Sequence, residues 1–195
     1  MVWRECNLTA QCSLLLFPWA VWPSHVRDLK LHTYRPLLLQ TVLREHGAVV
    51  WLDVHYRLTE GDLTGWLERA REGGGVVAWP EHDHLVSPLQ PGPAQSQQTS
   101  VPTTTLTHPK MFQYFDPRQY EDYAFQHMVS LASLVLVTGE RLSRELMLPW
   151  VQCVLTEPCI NPVGAQDTGC RWDKKPQFRY SGCHRSVSVS HSQLE

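Results

Sequence analysis

Residues 34–53 read YRPLLLQTVLREHGAVVWLD, and two different apolar patterns meet inside that stretch. Leu37, Leu38 and Val42 recur at helical spacing. Pro36 suits a first turn, where its missing N–H removes no hydrogen bond, and Gly47 suits a C-terminal cap. A helix over 34–46 is therefore predicted. The run AVVWL at 48–52 is continuous, short and β-branched, and it stops at Asp53. It reads as a buried strand with a carboxylate at its carboxyl end.

The same alternation continues after Asp53. A second helix is predicted over 62–72, with Leu63, Trp66, Leu67 and Ala70 on one face, ended by three glycines at 73–75. A strand over 76–79 follows. Residues 87–104 are rich in Pro, Gln, Ser and Thr and carry neither an aromatic ring nor a charge, the composition of a flexible surface loop. Further on, 117–127 reads as helix, 129–137 as strand, and 138–148 as a helix that Thr138 begins. The fold class that follows is α/β: a mixed, largely parallel sheet flanked by helices, with a disulfide-rich C-terminal tail. Residues 1–185 are expected to form a single domain containing the 87–104 loop, and 186–195 a disordered polar tail. No internal repeat is present.

Composition narrows the function classes. The 195 residues are 43% apolar and 18% charged, with 17 basic against 19 acidic side chains. That balance lacks the basic footprint of a nucleic-acid binder. No apolar run approaches the roughly 20 residues of a membrane span; the longest candidate, 14–22, is broken by Pro18 and closed by Pro23. Eight Trp, six Tyr and five Phe supply more apolar surface than a disordered chain leaves in water.

Six cysteines stand at the two ends: Cys6 and Cys12, then Cys153, Cys159, Cys170 and Cys183. An even, grouped count reads as a disulfide framework in an oxidising compartment. Asn7-Leu8-Thr9 is a glycosylation sequon between the first two. The competing readings are a cytosolic protein with buried free thiols, and a zinc site using the four late cysteines with His184. The latter lacks closely spaced C-x2-C knuckles. Proximity suggests Cys6 with Cys12 and Cys159 with Cys170, leaving Cys153 with Cys183. The first residues do not form a secretory signal, so a lumenal protein would take its targeting segment from outside this chain.

Chemistry is sought where α/β sheets bind ligands, beyond the carboxyl ends of the strands. Asp53 stands there, and His55 is two residues on, on the same side of an extended chain. A carboxylate and an imidazole can hold a divalent metal whose shell a diphosphate completes. The bland alternative is a turn-capping Asp53 and a solvated His55. Glu81-His82-Asp83-His84 is a further possible metal cluster, and His108 and His184 are single imidazoles. Serine-hydrolase elbows, zincin helices and phosphate- or dinucleotide-binding glycine loops are absent from the sequence.

Taken in order, several short motifs resemble one family. They are Phe17-Pro-Trp19 with Pro23-Ser-His-Val26, Tyr34-Arg-Pro-Leu37 leading to Val49-Val-Trp-Leu-Asp53, and Thr107-His-Pro-Lys-Met-Phe112. Pro149-Trp-Val-Gln-Cys-Val-Leu155, Cys159-Ile-Asn-Pro162 and Gly182-Cys-His-Arg185 complete the series. The chain resembles nucleotide-diphospho-sugar transferase-like (GT-A glycosyltransferase-like) proteins, and within them an animal group of poorly defined role. The resemblance implies a Golgi-lumen or secreted protein that binds a sugar nucleotide and transfers the sugar to a glycan or protein acceptor. It further implies Mn2+ and diphosphate held at an Asp-x-Asp motif, whose positions here are Asp53 and His55. A late metal-ligating histidine matches His184 by order. Departures from the family pattern before Cys6 and after Arg185 imply a chain clipped at both ends.

The leading expectation is thus a glycosyltransferase-like protein with Asp53 and His55 at the donor. No catalytic base stands out among Glu81, Asp83 and Glu145. The alternative is a non-catalytic lumenal or secreted scaffold acting as a binding module. A cytosolic metal-dependent hydrolase using His82 and His84 is a third reading, tied to reduced cysteines.

Overall fold

Gly47 shows how the local chemistry sets the framework. Its φ of 74° closes the helix before it, and its N–H donates to the Leu43 carbonyl at 2.9 Å. In the computed structural model, helix α1 spans Tyr34–His46 and strand β1 follows one residue later at Ala48–Leu52. The structure describes residues 14–54, 56–59, 61–80, 101–115, 123, 126, 128–171 and 179–185. Cys6, Asn7, Cys12, His55, the cluster at 81–84, nearly all of the 117–127 helix, most of the 87–104 loop and the 186–195 tail lie outside the described residues.

After β1 come helix α2 (Thr64–Glu72), strand β2 (Val76–Pro80) and strand β3 (Val129–Val137). A π-helical segment, Leu142–Met147, runs into helix α3 (Leu148–Leu155), and a single turn, α4 (Glu157–Ile160), follows. The strand order is β1-β3-β2, with β3 antiparallel to both neighbours. The expected largely parallel sheet is therefore corrected to a three-stranded antiparallel one. The physical reason is specific: β1 and β2 run in the same direction, as a strand-helix-strand unit requires, but they do not touch. Their hydrogen bonds are made to β3, which arrives late in the chain and fills the space between them.

Side chains alternate across this sheet as a pleat demands. Val49, Trp51, Val76, Leu134 and Leu136 face the larger core, with Leu37, Leu43, Leu146, Trp150 and Val154. Ala48, Val50, Val77, Trp79, Val135 and Val137 face the other way, onto Leu67 and Ala70 of α2. At about 25 cal/mol per Å² of apolar surface, covering both faces is the main favourable term for a sheet this small.

Gly75 joins α2 to β2 at a φ of 105°, and a Cβ there would lie 2.7 Å from the Leu142 Cβ and 2.8 Å from the Val137 carbonyl oxygen. Only glycine lets the backbone come this close, so that Val137 N–H donates to the Gly75 carbonyl at 2.8 Å.

Residues 101–104, assigned to the loop by composition, are not loop-like. Val101, Thr103 and Thr104 are buried. Their polar groups are met by backbone: Met128 N–H donates to the Val101 carbonyl, Thr103 N–H to that of Gln126, and Thr107 Oγ1 to that of Thr103. Ser181 and Arg185 N–H groups donate to the Thr105 and Leu106 carbonyls. A polar run is thereby buried without unmet hydrogen bonds, which composition does not reveal.

Among the described residues two disulfides are present, Cys153–Cys159 and Cys170–Cys183. The expected pairs Cys159–Cys170 and Cys153–Cys183 are corrected. Helix α3 ends at Leu155 and the chain reverses through Thr156 into α4, which sets the Cα atoms of Cys153 and Cys159 5.3 Å apart. Cys183 is left to the 170 side. Both bonds suit an oxidising compartment.

Candidate functional site

Asp53 sits one residue past β1, still in the ladder: its N–H donates to the Ala132 carbonyl at 2.7 Å. The chain then turns, with Tyr56 N–H donating back to the Asp53 carbonyl at 2.9 Å.

The Asp53 carboxylate is engaged at both oxygens. Arg35 Nη2 donates to Oδ2 at 2.9 Å, and Trp51 Nε1 donates to Oδ1 at 3.1 Å. The side chains of the ion pair retain 15% and 23% of their exposure, so it is screened far less than a surface pair. The Arg35 guanidinium carbon also lies 5.8 Å from the centre of the Trp51 ring. Arg35, Asp53 and Trp51 thus form one unit across α1 and β1. His32 stands beside it at a φ of 52°, and burial, with the neighbouring Arg35 charge, lowers its imidazole pKa while Asp53 raises it.

The role of Arg35 escaped sequence reading, although a signal for it exists. Arg35 lies in the first turn of α1, where the helix dipole disfavours a cation and no acidic residue is present. An arginine so placed needs an external carboxylate, and Asp53 supplies it.

Over the α2 face of the sheet lies a cleft of about 360 Å³, lined by Trp51, Leu52, Trp66, Trp79 and Ser133 and, from the 57–63 loop, Arg57, Thr59 and Asp62. Its origin is a register break. Ala78 pairs with Leu134 but Trp79 pairs with Ser130, so Leu131, Ala132 and Ser133 have no partner on β2. On its other edge β3 keeps its register, with Leu52 opposite Ser133. The break falls between Ala78 and Trp79, and Trp79 packs against Trp66 with ring centres 5.2 Å apart. Asp53 does not line this cleft. Trp51 borders both places: its indole, on the α1 face, donates to Asp53, and the residue also lies along the cleft.

His184 lies in a different neighbourhood. Its Nδ1 accepts from the His108 N–H at 3.1 Å, and its Nε2 donates to the Ile160 carbonyl at 3.1 Å. Burial lowers its pKa to about 4, offset in part by the carbonyl contact, so it is a neutral imidazole with both nitrogens occupied. His108 packs against it, its own pKa lowered by burial and by Lys110. The structure does not bring Asp53 and His184 together.

Among the described residues, no group of three His, Cys, Asp or Glu side chains is placed to hold a metal ion. The donors that are described do not fit Mn2+: Asp53 already carries a guanidinium at 2.9 Å, and His184 has no free nitrogen. Glu145 is committed on the surface to Arg141 at 2.8 Å. No described helix is long and apolar enough to cross a membrane. Comparison with protein families, curated proteins and solved structures finds no match for this chain.

Proposed function

We propose that this chain is a glycosyltransferase-like protein that binds a sugar nucleotide at the carboxyl ends of β1 and β2, in the secretory pathway. The observation that supports the reading is Asp53, a carboxylate one residue past β1 that Arg35 and Trp51 hold in place, at a strand end where sheets with flanking helices take ligands. Asp53 orients Arg35 in this reading, and Arg35 offers the positive charge a diphosphate needs. If Mn2+ is required, it would compete with the Arg35 guanidinium for the Asp53 carboxylate.

A second reading has its own support. Because both Asp53 oxygens are taken, the carboxylate can serve as a structural anchor, and the chain is then a non-catalytic scaffold acting as a binding module. One experiment separates the two. Melting temperature is measured with a panel of nucleoside diphosphates and their sugars, with and without Mn2+, on wild type and Asp53→Ala. A rise with one nucleotide that Asp53→Ala abolishes supports the first reading, and its dependence on Mn2+ decides the metal. A clean melt that no nucleotide moves leaves the scaffold.

A further inference from the structure

We propose that the cleft between α2 and the sheet is a carbohydrate subsite that takes the apolar face of a neutral pyranose, with neither metal nor nucleotide. The proposal goes beyond sugar-nucleotide binding and stands without it, because it uses no contact to Asp53.

The walls carry the argument. A pocket for a small molecule is mostly apolar with a few fixed polar groups, and ~300–1,000 Å³ is its usual size; this cleft, at about 360 Å³, is at the small end. Two tryptophans on the α2 side of the sheet, Trp66 and Trp79, line it, and Trp51 borders it from β1. Trp66 is 37% exposed, a costly position for the largest apolar side chain. It is nonetheless held on two sides, edge-to-face by Trp79 and by the Arg69 guanidinium 5.2 Å from its ring centre. A fixed, half-exposed indole is a ready stacking surface that loses little entropy on binding.

The polar groups settle the ligand's charge. Arg57 and Asp62 line the same cleft and their charges cancel. Arg57 is fixed through Nη1, which donates to the Val54 and Tyr56 carbonyls at 2.9 Å, and its other N–H groups remain as donors. Asp62 is fixed by the Thr64 N–H donating to Oδ1 at 2.9 Å, and a carboxylate has more acceptor sites than that bond uses. Ser133 adds a hydroxyl from the part of β3 that has no partner on β2. A phosphate or carboxylate ligand meets the Asp62 charge, whereas a wholly apolar one leaves Arg57 and Asp62 desolvated and unpaired. A pyranose has a C–H face for the indoles and a rim of hydroxyls that both donate and accept.

The test is titration of the full chain with cellobiose, maltose, lactose and chitobiose, read by tryptophan fluorescence and by saturation-transfer NMR, with excess EDTA. At least one is expected to saturate with a dissociation constant on the order of millimolar. Trp66→Ala weakens it about tenfold and Trp66→Phe restores most of it, since aromatic stacking is worth roughly one such factor. Excess nucleoside diphosphate leaves the sugar affinity unchanged. The proposal is overturned if no neutral disaccharide saturates while the chain melts cooperatively, if Trp66→Ala binds as wild type, or if only anionic sugars bind. Trp66→Tyr is the second variant should Trp66→Ala fail to fold. Nucleotide binding is measured separately, so either reading can fail alone.

Discussion

Replacing Arg35 with Met keeps the aliphatic stem against Trp51 but removes the cation from Asp53. The carboxylate then retains the Trp51 N–H and the partial hydration that its 23% side-chain exposure allows. Breaking a fully buried pair costs about 3–5 kcal/mol, and an exposed one about 0–1 kcal/mol. A pair exposed by 15% and 23% lies between, so about 2 kcal/mol is expected. For a chain of this size that lowers the melting temperature by roughly 4–8 °C. Asp53→Asn leaves Arg35 without its counter-charge, with its Nε already unpartnered among the described residues, and costs a similar amount. The double variant, Arg35→Met with Asp53→Asn, then costs clearly less than the sum of the two. The assay is urea unfolding of all four proteins, repeated at high salt, where the coupling should persist because the pair is shielded from solvent. A coupling below about 0.5 kcal/mol, or one that salt removes, would refute the claim that Asp53 is anchored from α1.

Three further outcomes are expected. Peptide mapping without reductant should recover Cys153 with Cys159 and Cys170 with Cys183; loop entropies put the separate losses on reduction near ~2 and ~3 kcal/mol, so a melt that reductant does not lower would contradict the pairing. Gly75→Ala should destabilise by about 2–5 kcal/mol, combining a strained φ with a Cβ pressed on the Val137 oxygen and Leu142. Gly47→Ala, where the nearest atom is 3.7 Å from the added Cβ, should cost about 1 kcal/mol, so equal losses at the two sites count against the close packing of Gly75. His184 has a folded pKa of about 4, below the ordinary value of 6.5, so the unfolded chain binds its proton first as pH falls. Its contribution is therefore complete above pH 6.5 and is lost progressively down to about 4, at most about 3 kcal/mol, with His108 acting in the same direction. NMR titration should show the His184 ring still neutral at pH 5; a protonated ring there would overturn it.

What could be read in advance followed from local physics. The bounds of α1 and β3 are those predicted, because apolar spacing and a glycine cap are properties of neighbouring residues. The sheet was misread because alternation of helices and strands fixes the order of elements and the shared direction of β1 and β2. It says nothing of which strand lies beside which. The 138–148 helix was likewise stopped too soon: Pro149 sits in the first turn of α3, where it is tolerated, and the helix continues to Leu155. Asp53 was found from its position at a strand end, whereas Arg35, 18 residues earlier, shows only as a cation at the wrong end of a helix. The neutral, buried state of His184 depends on the His108 N–H, 76 residues away, and no local pattern carries that.

The central place of β3 has a consequence for synthesis. Both other strands are complete by Pro80, yet the strand they both pair with spans Val129–Val137. At about 5–20 residues per second the ribosome needs roughly 3–10 s to pass from one to the other. During that interval VVWL and VVAW, two short apolar β-branched runs, have emerged without their partner, the composition that seeds intermolecular pairing. The nascent chain thus has to be held apart from its copies until residue 137 is out, and any message ending earlier yields strands that have no sheet to join.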